Sequence, residues 1–222
     1  MPTPTTPTPR GPSKLLFQYA DGGALRDLND RLRAEDDRRR LDFRQLPELV
    51  AKRLKDVDNL TTVDSPKEGR IFFTLGATSA KTFVEEMGTA WTVMTVPLGL
   101  CRYDRNPIDH GDHVARETFK VRFHALIGYH LGFLAGKRQS FSRDLTVAVI
   151  SDDPQLLPAL ADANRQGLDT RLVWPESALP EETRYFAGRN GVSTLLVHPE
   201  VLSTSAVASQ GSYLNTLLKL GK

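Results

Sequence analysis

The stretch from Leu145 to Leu160, Leu-Thr-Val-Ala-Val-Ile-Ser-Asp-Asp-Pro-Gln-Leu-Leu-Pro-Ala-Leu, constrains the fold most. An apolar run rich in β-branched residues, with no polar alternation, describes a strand buried on both faces, the habit of a parallel sheet. The run ends in Ser151, Asp152 and Asp153 and passes into leucines at helical spacing. Ligands of open α/β sheets sit at the carboxyl ends of strands, so these acids are candidate site residues. Far upstream, the apolar run Leu15 to Ala20 stops at Asp21-Gly22-Gly23. If the two strands are neighbours, their carboxylates gather over one edge of the sheet, as a site for a hard divalent cation requires.

Taken in order, the chain alternates strand and helix patterns. Met1 to Ser13, with Pro at 2, 4, 7, 9 and 12 among threonines, is expected to be a disordered or polyproline-like tail; its Pro4-x-x-Pro7 formally fits an SH3-type partner. Strands are expected at 14–20, 70–75, 91–96, 145–150, 169–174 and 193–198. Helices are expected at about 24–34, 41–54 (with Asp42 as N-cap and Pro47 early), 79–87, 115–135, 154–166, 180–188 and 213–220. Asp21 has an alternative role as the cap of the first helix. Between Leu98 and Val114 lies a polar loop containing Asp109, His110, Asp112 and His113. Strands alternating with helices imply a parallel sheet with right-handed crossovers and helices on both faces.

The whole chain has 222 residues, 40% hydrophobic and 25% charged, enough for one α/β domain at 14–199 with an extension at 200–222. Its formal net charge of +2 permits contact with nucleic acid without demanding it. Cys101 is the sole cysteine, which excludes an internal disulfide, a thiolate zinc cage and an iron–sulfur cluster, and points to the cytoplasm. No apolar stretch has membrane-spanning length and no signal pattern opens the sequence, so no membrane association is expected.

The order of elements, with Phe17-x-x-x-Asp21-Gly-Gly, Leu41-Asp-Phe-Arg-x-Leu46, Arg70-Ile-Phe-Phe and Val149-Ile-Ser151-Asp-Asp153, resembles the NYN branch of the PIN-like nuclease superfamily over Lys14 to Trp174. The resemblance implies a three-layer Rossmann-like (PIN-like) α/β domain with a mainly parallel central sheet of five to six strands. It also implies metal-dependent hydrolysis of RNA. Asp21 matches the first-strand acid, Ser151 the serine and Asp153 the first aspartate of the family's Ser-Gly-Asp-x-Asp-Phe. Asp21 and Asp153 would then bind Mg²⁺ or Mn²⁺, with Asp152 as a third catalytic acid. The chain departs from the pattern at Asp152 for glycine, Gln155 for the last aspartate and Leu156 for phenylalanine. In the mid-chain helix, Arg122 or Phe123 falls where the family's Lys-x-x-Asp has its acid. Glu117, Asp109 and Asp112 are substitutes from nearby segments.

Two readings follow. One is a metal-dependent ribonuclease; the other is a non-catalytic nucleic-acid-binding or protein-interaction module that lost its acids. Either would contact RNA phosphates through Arg102, Arg105, Arg116, Lys120, Arg122 and Ser151, unless the basic residues are simply solvated surface. His110-x-x-His113 beside two aspartates would suit zinc or acid–base work, against the plainer reading of a polar loop. His124 and His130 read as core-edge residues. A phosphoacceptor receiver would need its acid pair early in the chain, dinucleotide binding lacks G-x-G-x-x-G, and Ser151 lacks the nucleophile elbow. Val201, Leu202, Leu217 and Leu218 would cover the sheet edge or form a homodimer contact, and the sequence leaves both open.

Overall fold

The computed structural model describes residues 12–36, 41–75, 87–96 and 111–197. In chain order these form β1 (Ser13–Asp21), α1 (Gly22–Glu35), α2 (Leu46–Val57), β2 (Thr62–Asp64), β3 (Arg70–Leu75), β4 (Thr92–Val96) and α3 (Gly111–Lys137). There follow β5 (Asp144–Ile150), α4 (Leu157–Arg165), β6 (Asp169–Pro175), α5 (Glu181–Arg189) and β7 (Ser193–Val197). The strands make one seven-stranded sheet in the order β4-β3-β1-β5-β6-β7, with β2 also on β1 and every pairing parallel. Setting aside short β2, the long strands follow the doubly wound order, which reverses between β1 and β5.

One strand more is present than the five to six expected. β2 has three residues with no apolar run, and it pairs with Ser13–Leu15 on the same side of β1 on which β3 pairs with Gln18–Asp21. Three other boundaries differ. Asp42 is not the N-cap of α2: its Oδ1 accepts from the Arg44 and Gln45 amides in a turn, and the helix begins at Leu46. α3 begins at Gly111, so Asp112 and His113 belong to its first turn and not to a loop. Pro154–Leu156 is a separate 3-10 turn ahead of α4. The tail 1–11, the expected helices 79–86 and 213–220, and the segments 97–110 and 198–222 lie outside the described residues.

Adjacent residues of β1 show how the layers divide, since neighbours on a strand point to opposite faces. Gln18 donates through Nε2 to the Pro47 carbonyl at the start of α2, 3.0 Å away, whereas the Tyr19 ring lies against His130 of α3 with centroids 5.0 Å apart. Helices α3, α4 and α5 cover the Tyr19 face, as right-handed crossovers running one way along the sheet require; α1 and α2 cover the other. On the α3 side Phe119, Phe123, Ile127, Leu131 and Leu134 are buried at helical spacing, and Phe123 meets the Phe73 ring edge-on at 5.3 Å. β5 is buried from Leu145 to Ile150 because it has neighbours on both sides and helices on both faces. Among the described residues no helix is long and apolar enough to cross a membrane.

At the amino ends of the strands, away from the candidate acids, Lys14 bridges Asp58 at 2.8 Å and Asp169 at 2.6 Å. Arg171 contacts the same two carboxylates at 3.1 Å and 2.8 Å, and Thr146 donates to Asp169 at 2.8 Å. This network ties the loop after α2 to β1 and β6.

Candidate active site

The register of the sheet brings the candidate acids together. Ala20 pairs with Ile150, so Asp21 and Ser151 are the next residues on adjacent parallel strands. Ser151 Oγ donates to Asp21 Oδ2 at 2.9 Å, and the Asp153 amide donates to Ser151 Oγ at 3.2 Å. Asp21 also caps α1, its Oδ1 accepting from the Ala24 amide at 3.0 Å. Capping and site membership were alternatives in the sequence; the cap is formed, and the same carboxylate also meets Ser151 because α1 starts directly on the strand end. Gly22 permits that start: a Cβ there would strike the Phe73 carbonyl and the Phe72 ring.

Asp153 Oδ1 accepts from the Gln155 amide at 2.9 Å, while Oδ2 lies 3.2 Å from His124 Nε2 of α3. Asp152 is partly exposed, its Oδ2 3.9 Å from the Arg31 guanidinium of α1. Its backbone carbonyl accepts from Thr183 Oγ1 at 2.9 Å, which fixes the turn against α5. Lys120, one helical turn before His124, is half-exposed, pairs with Glu117 at 3.9 Å and acts electrostatically on both Asp152 and Asp153.

These surroundings separate the three acids. Burial pushes the Asp21 carboxyl from its ordinary 3.8 up to about 6; the Ala24 and Ser151 donors oppose this, and the charges of Asp152 and Asp153 add to it. Burial likewise raises Asp152, with the Asp153 charge adding and Arg31 and Lys120 opposing. For Asp153 burial also acts upward, but the His124 contact, the Gln155 amide and the Lys120 charge outweigh it and hold the carboxyl below its ordinary value.

The residues singled out from the sequence are placed unevenly. Asp21, Ser151, Asp152 and Asp153 converge, and Lys120 faces them. Arg122 is half-buried on α3, and Phe123 is buried in the core, so neither takes the position facing the acids. His124 takes it. The Lys120-x-x-x-His124 spacing, which puts both side chains on one helical face, was the available signal. Arg31 and Thr183 carried none. Arg102, Arg105, Asp109 and His110 lie outside the described residues, as do the side chains of Asp112, His113 and Arg116.

No family model and no curated protein matches the chain. What the site can do rests on its own residues.

Mg²⁺ commonly takes one or two carboxylates and fills its octahedron with water and substrate phosphate, whereas two-metal hydrolysis needs more acids. Among the described residues no group of three or more His, Cys, Asp or Glu side chains is arranged to hold a metal ion, so any cation here would rest on one or two carboxylates with water and substrate. Burial is the main cause of the raised Asp21 and Asp152 carboxyls, with the neighbouring carboxylate charges adding to it.

Proposed function

We propose that the protein is a PIN-like, NYN-type domain that hydrolyses RNA phosphodiesters with one divalent cation, Mg²⁺ or Mn²⁺, at the carboxyl ends of β1 and β5. The observation that carries this reading is Asp21. It is 3% exposed and lies beside two further carboxylates at the point where strand order reverses, and a cap for α1 does not by itself call for three acids there. The sequence resemblance to PIN-like nucleases supports the same site.

Asp153 and Asp21 would hold the cation, with the partly exposed Asp152 beside them. The cation supplies Lewis acidity toward a phosphoryl oxygen and lowers the pKa of bound water. The chain's own groups do the rest. His124 and the Gln155 amide fix the orientation of Asp153, and Ser151 and the Ala24 amide fix Asp21. Lys120 and Arg31 place positive charge where the strand's phosphates approach.

A second reading, an RNA-binding domain without hydrolysis, is favoured by one feature: the mid-chain helix turns a cationic residue and a histidine, Lys120 and His124, toward Asp153. Cleavage of labelled single-stranded and structured RNA with Mn²⁺ and with Mg²⁺, comparing wild type with Asp153→Asn and Asp21→Asn, decides between them. Cleavage lost in both variants supports the hydrolase. Absence of metal-dependent cleavage in wild type, with salt-sensitive RNA binding retained, leaves the binding domain.

A further inference from the structure

α3 is apolar on the side that should face water. From Val121 to Gly136 its only Lys, Arg, Asp or Glu is Arg122, which is half-buried. One side of this stretch fills the core. The other exposes Val121 at 66%, Tyr129 at 69% and Phe133 at 53%, with Ala125, Gly128, Gly132 and Gly136 between them. A helix that covers one layer of a sheet normally carries charge on its outer face, and one that is apolar all round is normally buried. The glycines sharpen the point, because glycine weakens a helix interior. Nothing described lies within 4 Å of a Cβ built at Gly128, Gly132 or Gly136, so packing among the described residues does not call for them.

We propose that this face of α3 packs against the same face of a second copy of the chain in a two-fold dimer. A two-fold contact needs a patch that complements itself. Here bulky Tyr129 and Phe133 share one stripe with hollows at Gly128, Gly132 and Gly136, so each ring of one copy has a glycine hollow of the other to enter. Covering the stripe on both copies removes on the order of 1,000 Å² of surface, about the lower bound for a specific interface.

Sedimentation equilibrium of the full chain over a wide concentration range tests this, with Gly132→Leu and Tyr129→Ser as variants. Both positions are open in the single chain, so circular dichroism and thermal unfolding of dilute protein serve to show that each variant folds. Wild type should approach twice the chain mass as concentration rises, and each variant should weaken association at least tenfold. Wild type that stays monomeric throughout overturns the proposal, including the case in which residues 198–222 of the same chain cover the stripe. A wild-type dimer indifferent to both folded variants overturns it too, because the contact then lies elsewhere. RNA cleavage does not enter either readout.

Discussion

Ser151 donates its hydroxyl to Asp21 Oδ2 at 2.9 Å, joining residues 130 positions apart at the ends of adjacent strands. The bond lessens the cost of burying that carboxylate but does not remove it, since the carboxyl still titrates near 6. Between its ordinary 3.8 and about 6 the folded state binds more protons than the unfolded chain, so stability falls as pH rises through that window. The full effect is on the order of 3 kcal/mol. Asp21→Asn keeps the acceptor that caps α1 and removes the charge, although Ser151 must then turn its hydroxyl. Urea unfolding should show the variant more stable than wild type by about 1–2 kcal/mol at pH 7.5, with a flatter profile between pH 4 and 6. A variant less stable at neutral pH would contradict the assigned cost.

The same buried charge predicts a response to metal. Thermal unfolding in the presence of Mg²⁺ or Mn²⁺, with Ca²⁺ as a comparison, should shift upward by an amount corresponding to about 1–2 kcal/mol at ten times Kd. The shift should shrink as pH falls from 7.5 toward 5, because Asp21 takes up a proton and competes with the cation. Asp153→Asn should abolish it. A shift independent of pH would mean that the metal binds elsewhere.

His124 acts through Asp153. With its side chain 10% exposed, Asp153 depends on the histidine and the Gln155 amide to remain ionised, and its depressed titration stabilises the fold at pH values above the unfolded carboxyl range. That contribution disappears as pH falls through the folded value. His124→Ala should cost about 1–2 kcal/mol in denaturant unfolding and lower RNA cleavage by roughly ten- to a hundredfold, the usual effect of losing a group that orients a metal-binding carboxylate. His124→Gln keeps a donor and should recover part of both. If His124→Ala lost stability with cleavage unchanged, the histidine would be structural only.

Gly22 lies where the close approach of α1 to β3 leaves no room for a side chain. In Gly22→Ala the new methyl meets a backbone carbonyl, which cannot swing away as a flexible side chain would. The expected loss is about 2–3 kcal/mol by urea unfolding. Displacement of the α1 start should also weaken the Mn²⁺ response, since Asp21 is the preceding residue.

The sheet was legible in the sequence because its central strands are continuous apolar runs, each passing into a helix; that Leu15–Ala20 and Leu145–Ile150 are neighbours was left as a condition in the sequence and is met in the structure. The acids at their ends were legible for the same reason, since position 21 follows position 20 in register with 150. β2 was not, because three residues paired on one side of β1 leave no hydrophobic period. His124 was passed over for a different reason. On a helix apolar nearly all round, periodicity does not say which polar residue faces the sheet end, and Asp153 reaches it only through tertiary packing. Arg31 is set by the angle at which α1 crosses the sheet, which no local pattern encodes.

The ionic network at the opposite end of the sheet provides the control for all of these. Burial acts to raise Asp169, but Arg171, Lys14 and Thr146 outweigh it and hold the carboxyl below its ordinary value. Its contribution is therefore complete above the unfolded carboxyl range and is lost as pH falls through the folded value. Asp169→Ala leaves Lys14 and Arg171 sharing Asp58 alone. Because the Asp169 side chain keeps 30% of its exposure, the penalty should be about 2–3 kcal/mol at pH 7, below that for a fully buried pair. The variant should lose its disadvantage as pH falls through the lowered folded value of Asp169, where wild type surrenders the pairing too. Half-buried partners are poorly screened, so 0.5 M NaCl should change the difference by only about a few tenths of a kcal/mol. RNA cleavage and the Mn²⁺ shift, measured at a temperature where both proteins are folded, should be unaltered, because the network stands at the amino ends of the strands and the acids at the carboxyl ends. A variant that lost the Mn²⁺ response while still folded would show that the two ends of the sheet are coupled.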